Sequence, residues 1–145
     1  MTGPDPNAVY RYEFTIPDSA VDRNGHVNNV VYVQWMQDAA IGHSDASGGT
    51  RAAEAVGASW VVRSHKIEYL IPAFSKEQIT VFTWVVNFRR VRSLRRYTFI
   101  RTSDEAVIAR GETEWVFVDA VSGRPRRIPD AVMRAFPLVA AENAP

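Results

Sequence analysis

Apolar and polar residues alternate one by one over residues 10–16, with Tyr10, Tyr12, Phe14 and Ile16 on one side and Arg11, Glu13 and Thr15 on the other. A period of two marks a half-buried strand, and Pro17 stops it. The pattern then changes. Over residues 30–44 the polar positions Gln34, Gln37 and Asp38, continued by Asp45, form only a narrow stripe, while Val31, Tyr32, Trp35, Met36, Ala39 and Ala40 face elsewhere. That predicts a long helix covered on most of its sides. The SGGT stretch at 47–50 ends it, and a short helical piece is predicted over 51–56, before Gly57. Four strand-like stretches follow without another long helix. Residues 60–71 alternate over their second half, with Ile67, Tyr69 and Ile71 opposite Ser64, Lys66 and Glu68, until Pro72 closes the run. Residues 79–88 are apolar on both faces, which predicts a strand in the sheet interior. Residues 93–102 and 107–118 complete the set, with Gly111 expected as a bulge or kink. Ser122-Gly123 reads as a turn, and residues 130–135 as a short C-terminal helix.

One strand, one long helix and four more strands predict an α+β fold, a helix packed on an antiparallel sheet of about five strands. A chain of 145 residues suits one domain, expected over 9–137 with tails at 1–8 and 138–145. Apolar content of 46% and charged content of 23% are ordinary for a globular protein. A net charge of +1 offers no global attraction to nucleic acid or membranes, so any basic function is local. The absence of Cys excludes disulfides, thiolate ligands and a Cys nucleophile. The first residues, MTGPDPNAV, lack the basic and apolar regions of a secretion signal, and no apolar run approaches the ~20 residues of a membrane span. A cytoplasmic protein with no nucleic-acid or membrane partner is expected.

Candidate chemistry concentrates where the long helix begins. Residues 21–40 read VDRNGHVNNVVYVQWMQDAA, so a compact polar turn delivers an acid, an amide and an imidazole to the helix start. Unpaired backbone N–H groups at a helix N-terminus can hold a developing oxyanion. A carboxylate beside such donors suits acyl transfer. Each residue also has a plain structural use. Asp22 can be a solvated turn acid, and Asn24-Gly25 is a common tight-turn dipeptide. His26 can fill the turn or bond a carbonyl, Asn28 and Asn29 are good N-caps, and Tyr32 suits a core or pocket wall. A second cluster places Arg89, Arg90, Arg92, Arg95 and Arg96 within eight residues, beside Ser93. Guanidinium forks bind phosphate bidentately, but the same segment reads equally as a charged hairpin protecting a sheet edge. His26, His43 and His65 have no metal-ligand spacing, and no phosphate loop, dinucleotide glycine pattern or serine elbow occurs. No metal or redox cofactor is expected.

The residues Asp22, Gly25, His26, Val27, Asn28, Asn29 and Tyr32 follow D-x-x-G-H-V-N-N-x-x-Y, which resembles the helix-start motif of hotdog-fold thioesterases, in particular the 4-hydroxybenzoyl-CoA thioesterase and acyl-CoA thioesterase family. Asp22, Asn24 and His26 also match the form found in plant acyl-ACP thioesterases. There, a further acid or Cys stands where this chain reads Ile71-Pro72-Ala73, a departure that favours a mechanism centred on Asp22. Arg89, Arg90, Arg92 and Ser93 resemble the family's R-R-K-S-F segment. The likeness covers about residues 10–137 and implies a sheet wrapped around the long helix. It implies hydrolysis of an acyl-CoA, or less readily of an acyl-carrier-protein thioester. Asp22 would act as nucleophile or general base, the Asn29 N–H would polarise the carbonyl, and Asn24 and His26 would assist. Gly25, Tyr32, Arg89, Arg90, Arg92 and Ser93 would contact substrate. The pocket would lie between subunits of a homodimer or homotetramer. A hotdog module that binds acyl-CoA without turnover is the alternative, and a hydratase lacks its acid–His pair here. One helix covers only one face of a sheet, so Phe82 and Trp84 are expected to be exposed on a single chain and covered by stacking of dimers.

Overall fold

Residues 8–145 are described by the computed structural model. Strand β1 (Val9–Thr15) leads through a 3-10 turn (Asp18–Ala20) to helix α1 (Asn29–Ser47) and a short helix α2 (Gly49–Ala55). Strands β2 (Ala58–Tyr69), β3 (Gln78–Arg89), β4 (Arg92–Arg101) and β5 (Ala106–Asp119) follow, then helix α3 (Asp130–Met133). The strands form one antiparallel sheet in the order β1-β3-β4-β5-β2. The expected α+β architecture is thus present, with β3 inside the sheet and β2 at an edge, paired with β5 alone.

Helix α1 lies on one face of this sheet. Tyr32, Trp35, Met36, Ala39 and Ala40 are buried with Ile79, Val81, Tyr97, Phe99 and Ile108 in the main core. The Tyr32 ring meets Phe99 edge-on at 5.4 Å, and Trp35 packs on Phe14 at 4.6 Å. The helix begins and ends somewhat outside the residues its apolar pattern predicts. Asn28 is the N-cap, with its side-chain oxygen accepting from the Val30 N–H, and Gly48 stops the last turn at φ +90. Asn29, equally suited to capping by type, is the first helical residue instead.

Gly111 is not a bulge. It pairs in register with both Tyr97 and Ile67, and the irregularities fall at Val62/Ser64, Val85/Asn87 and Phe99/Ile100. A Cβ at Gly111 would stand 3.0 Å from Met36 Sδ, so the glycine gives the Met36 side chain of α1 room against the sheet. The short C-terminal helix ends at Met133, before the expected Ala135.

The outer face also corrects an expectation. Trp84 is 4% exposed on the single chain, because Val139 and Ala144 of the C-terminal segment pack over it, together with Ala8. Thr98 Oγ1 donates to the Pro145 carbonyl oxygen at 3.2 Å and helps hold the segment there. Residues 138–145 are therefore a docked strap and not a loose tail, while the expected tail at 1–8 lies, but for Ala8, outside the described residues. The outer face also carries ion pairs, with Arg92 and Arg96 paired to Glu114 and Glu112.

Candidate active site

The turn before α1 is held at every flank. The Asp22 N–H donates to the His26 carbonyl at 3.1 Å and the Gly25 N–H to the Asp22 carbonyl at 3.1 Å, while Val21 and Val27 form a bridge. Gly25 takes φ +83, a value that favours glycine. The Asp22 carboxylate accepts the Asn24 N–H at 2.8 Å, and this bond fixes its rotamer across the turn. The Val27 N–H donates to the Ala73 carbonyl at 2.8 Å and the Asn28 N–H to the Ala20 carbonyl at 2.9 Å, tying the turn to the segments on either side. Tyr69, at the end of β2, donates its hydroxyl to the Asn29 carbonyl at 2.8 Å.

Asp22 and His26 are half-buried, whereas Asn24, Gly25, Asn28 and Asn29 are exposed. Among the described residues the His26 imidazole makes no hydrogen bond to Asp22. Asn29, at the first helical position, has a backbone N–H with no intrahelical acceptor, so it can donate to an incoming oxygen. Tyr32 is 2% exposed, and burial first, then Tyr69 and Glu77, pushes its phenol up to about 12. It keeps its proton and acts as core. Among the described residues, no group of three or more His, Asp or Glu side chains is placed to hold a metal ion.

The arginine cluster does not form one patch. Arg89 and Arg92 face each other across a two-residue hairpin turn formed by Arg90 and Val91. Arg89 and Arg90 are exposed, and neither forms an ion pair among the described residues. Arg92 pairs with Glu114 at 3.1 Å. Ser93 points the other way, is 4% exposed, and spends its hydroxyl on the Asn87 carbonyl at 3.0 Å. Arg95, two residues on, is buried on the inner face as well. Strand parity carried this signal, because Arg95 alternates with Tyr97 and Phe99 on the side that must face α1.

Nor do the turn and the hairpin meet in one chain. Ala58 of β2 pairs with Asp119 and Arg92 of β4 with Val116, so the start of β2 and the hairpin share one end of the sheet. Tyr69, which contacts Asn29, pairs with Ala109 at the other end. The 12 residues of β2 separate these ends by roughly 35–40 Å. A cleft of about 620 Å³ opens at the hairpin end, between the second half of α1, helix α2 and the start of β2.

Residues 16–136 match the profile of the thioesterase-like superfamily. The fold is similar to that of the 1,4-dihydroxy-2-naphthoyl-CoA thioesterase of Synechocystis, with a TM-score of 0.78 at 16% identity over 88% of this chain and 94% of that one. The DHNA-CoA thioesterase of Staphylococcus aureus gives 0.74 at 21% identity, over 82% and 80% of the two chains. An acyl-ACP thioesterase of Bacteroides thetaiotaomicron gives 0.79 at 22% identity, over 94% of this chain but 57% of that one. No curated protein matches the sequence. Identities this low speak to the fold, whereas the profile spans most of the chain and carries the Asp22 turn, α1 and strands β2 to β5 together. A capped helix approached by the D-x-x-G-H-V-N-N turn, lying across a five-stranded antiparallel sheet, is the hotdog arrangement, and this chain belongs to the thioesterase-like superfamily.

Proposed function

We propose that the protein hydrolyses an acyl-CoA thioester to a free acid and CoA, with Asp22 as the reacting carboxylate. The observation that carries this reading is the anchored turn, which holds a half-buried carboxylate seven residues before an unpaired N–H at the start of α1. The Asn29 amide and the positive end of α1 polarise the thioester carbonyl and stabilise the oxyanion as it forms. Asp22 either attacks the carbonyl carbon or takes the proton from an attacking water. In both routes the carbon–sulfur bond breaks and the thiolate leaves, to be protonated as CoA; in the first, water then hydrolyses the acyl–Asp22 anhydride, releasing the acid and restoring the carboxylate. Asn24 positions Asp22 through its backbone N–H, and His26 closes the turn through its carbonyl.

The active unit is a dimer formed through β2. This strand is a long open edge, and Val30, Tyr69, Leu70 and Ile71 near one end and Ile41 and Val61 near the other leave apolar surface exposed beside it. Antiparallel pairing of two β2 edges would bring the Asp22 turn of one subunit to the cleft and hairpin of its partner. That joins the two halves of the site, which a single chain keeps apart. Arg89 and Arg90 then offer free guanidinium groups to the phosphates of CoA, and Arg92, paired with Glu114, has further N–H donors to offer them.

Asp22→Asn tests the chemistry. Asparagine keeps the side-chain oxygen that accepts the Asn24 N–H, so the turn persists while the carboxylate is lost. Hydrolysis across a panel of acyl-CoAs should fall by ~10²–10⁴-fold or more, with the circular dichroism unchanged. A variant that retains most of its kcat would remove Asp22 from the reaction.

A further inference from the structure

The cleft beside the hairpin contains a charge that no carboxylate among the described residues neutralises. Arg95 is 4% exposed and lies in a wall that also includes Trp60, Phe88, Trp115 and Phe136. Its Nη1 donates to His43 Nδ1 at 2.9 Å and to Thr83 Oγ1 at 3.1 Å, and the guanidinium stands 5.5 Å over the Phe136 ring. A guanidinium has five N–H donors, and both of these bonds leave from one nitrogen. Among the described residues no carboxylate comes within ion-pair distance of Arg95, although its outward-facing neighbours Arg92 and Arg96 each have a glutamate. The cleft's own acids, Asp45 and Glu54, are exposed on the helical side, and Asp45 accepts the Thr50 hydroxyl at 2.6 Å. Burying a cation without a counter-charge is costly, and burial here pushes the Arg95 guanidinium down from its ordinary value. An anion entering the cleft would remove that cost and gain charge-assisted hydrogen bonds in a site screened from water.

We propose that Arg95 sets substrate specificity, by pairing with a carboxylate carried at the end of the acyl group remote from the thioester. The favoured substrate class is then the mono-CoA thioester of a dicarboxylic acid, its spacer lying against the aromatic wall. This rests on the thioesterase reading above but is tested apart from it.

The probes are non-hydrolysable thioether analogues of two matched pairs, benzoyl- against 4-carboxybenzoyl-CoA and hexanoyl- against 5-carboxypentanoyl-CoA. Calorimetric titration of the full chain should show the carboxylated member of at least one pair binding ~10-fold or more tightly, the gain expected of one charge-assisted contact. Arg95→Met should bring the two affinities of that pair together. Equal affinities within both pairs in the unaltered protein would overturn the proposal, and this comparison does not depend on the variant folding. A preference that survives in folded Arg95→Met would overturn it too. Hydrolysis of the corresponding thioesters, run in parallel, separates the two readings. Preference in binding without turnover strikes only the thioesterase reading, and turnover without preference strikes only the role of Arg95.

Discussion

Asn28 shows how one side chain can serve stability and chemistry together. Its oxygen accepts the Val30 N–H at 3.0 Å, and its own N–H is tied to Ala20, so it fixes both the direction in which α1 starts and the place of the next amide, Asn29. Asn28→Ala should cost about 1 kcal/mol of stability by removing the cap. Because the Asn29 N–H would lose its fixed position, kcat should fall by ~10-fold or more while KM changes little, as for an interaction made mainly in the transition state. Denaturant titration and steady-state kinetics measure the two effects separately. A stability loss with unchanged kcat would show that the amide has no part in the reaction. This much was legible in the residues, because the turn, its glycine and the caps are all local. The role of Asn29 was harder to read, since two adjacent asparagines are equal as caps by type and only backbone geometry assigns Asn28 to the task.

Among the elements, helix α2 and the C-terminal segment meet where there is least room. A Cβ at Gly49 would stand 2.3 Å from the Phe136 ring, and Phe136 is itself held against His43 and Arg95. Gly49→Ala should therefore destabilise the protein by ~1–3 kcal/mol through overpacking. Adding Phe136→Leu, which vacates that space, should restore part of the loss, and a double-mutant cycle by denaturant titration gives the coupling. Strictly additive losses would place the clash elsewhere. The β3–β4 hairpin makes a second prediction. If Arg89 and Arg90 hold the phosphates of CoA, replacing both with Ala should raise KM for an acyl-CoA and leave KM for the same acyl group on a phosphate-free thiol nearly unchanged. Equal effects on both substrates would show that the pair serves only the hairpin. The hairpin was readable as a dense basic segment, and strand parity set Arg95 apart, but the division of the others into free and paired was not readable, because it depends on which residues of β5 lie beside each one.

For the molecule as a whole, the decisive feature is that the Asp22 turn and the cleft lie at opposite ends of β2. If two β2 edges pair, each active site draws Asp22 from one subunit and the cleft from the other. Val62 lines the cleft, and a mixture of Asp22→Asn subunits with a cleft-filling Val62→Trp variant, unfolded and refolded together, should then regain about a quarter of wild-type activity, since half the dimers are hybrids and each hybrid has one intact site. Each variant refolded alone should remain inactive. Sedimentation of the unaltered protein should show at least a dimer at micromolar concentration. An active monomer, or no recovery from mixed and demonstrably hybrid dimers, would mean that the site is built within one chain.

The alternating and helical periods specified every strand and the long helix to within a few residues, and the eight residues before α1 spelled out the turn that carries Asp22. These features follow from contacts between neighbours in the chain, so their cause is written in consecutive residues. The strand order, the partners that surround Arg95 in the cleft and the covering of Trp84 by residues 138–145 arise differently. Each depends on register between segments far apart in the chain, and in a sheet a shift of one residue moves a side chain to the opposite face. Arg92 and Arg95 look alike in the sequence. Folding leaves one paired with glutamate at the surface and buries the other in the cleft, because β4 runs through the middle of the sheet with α1 on one side only.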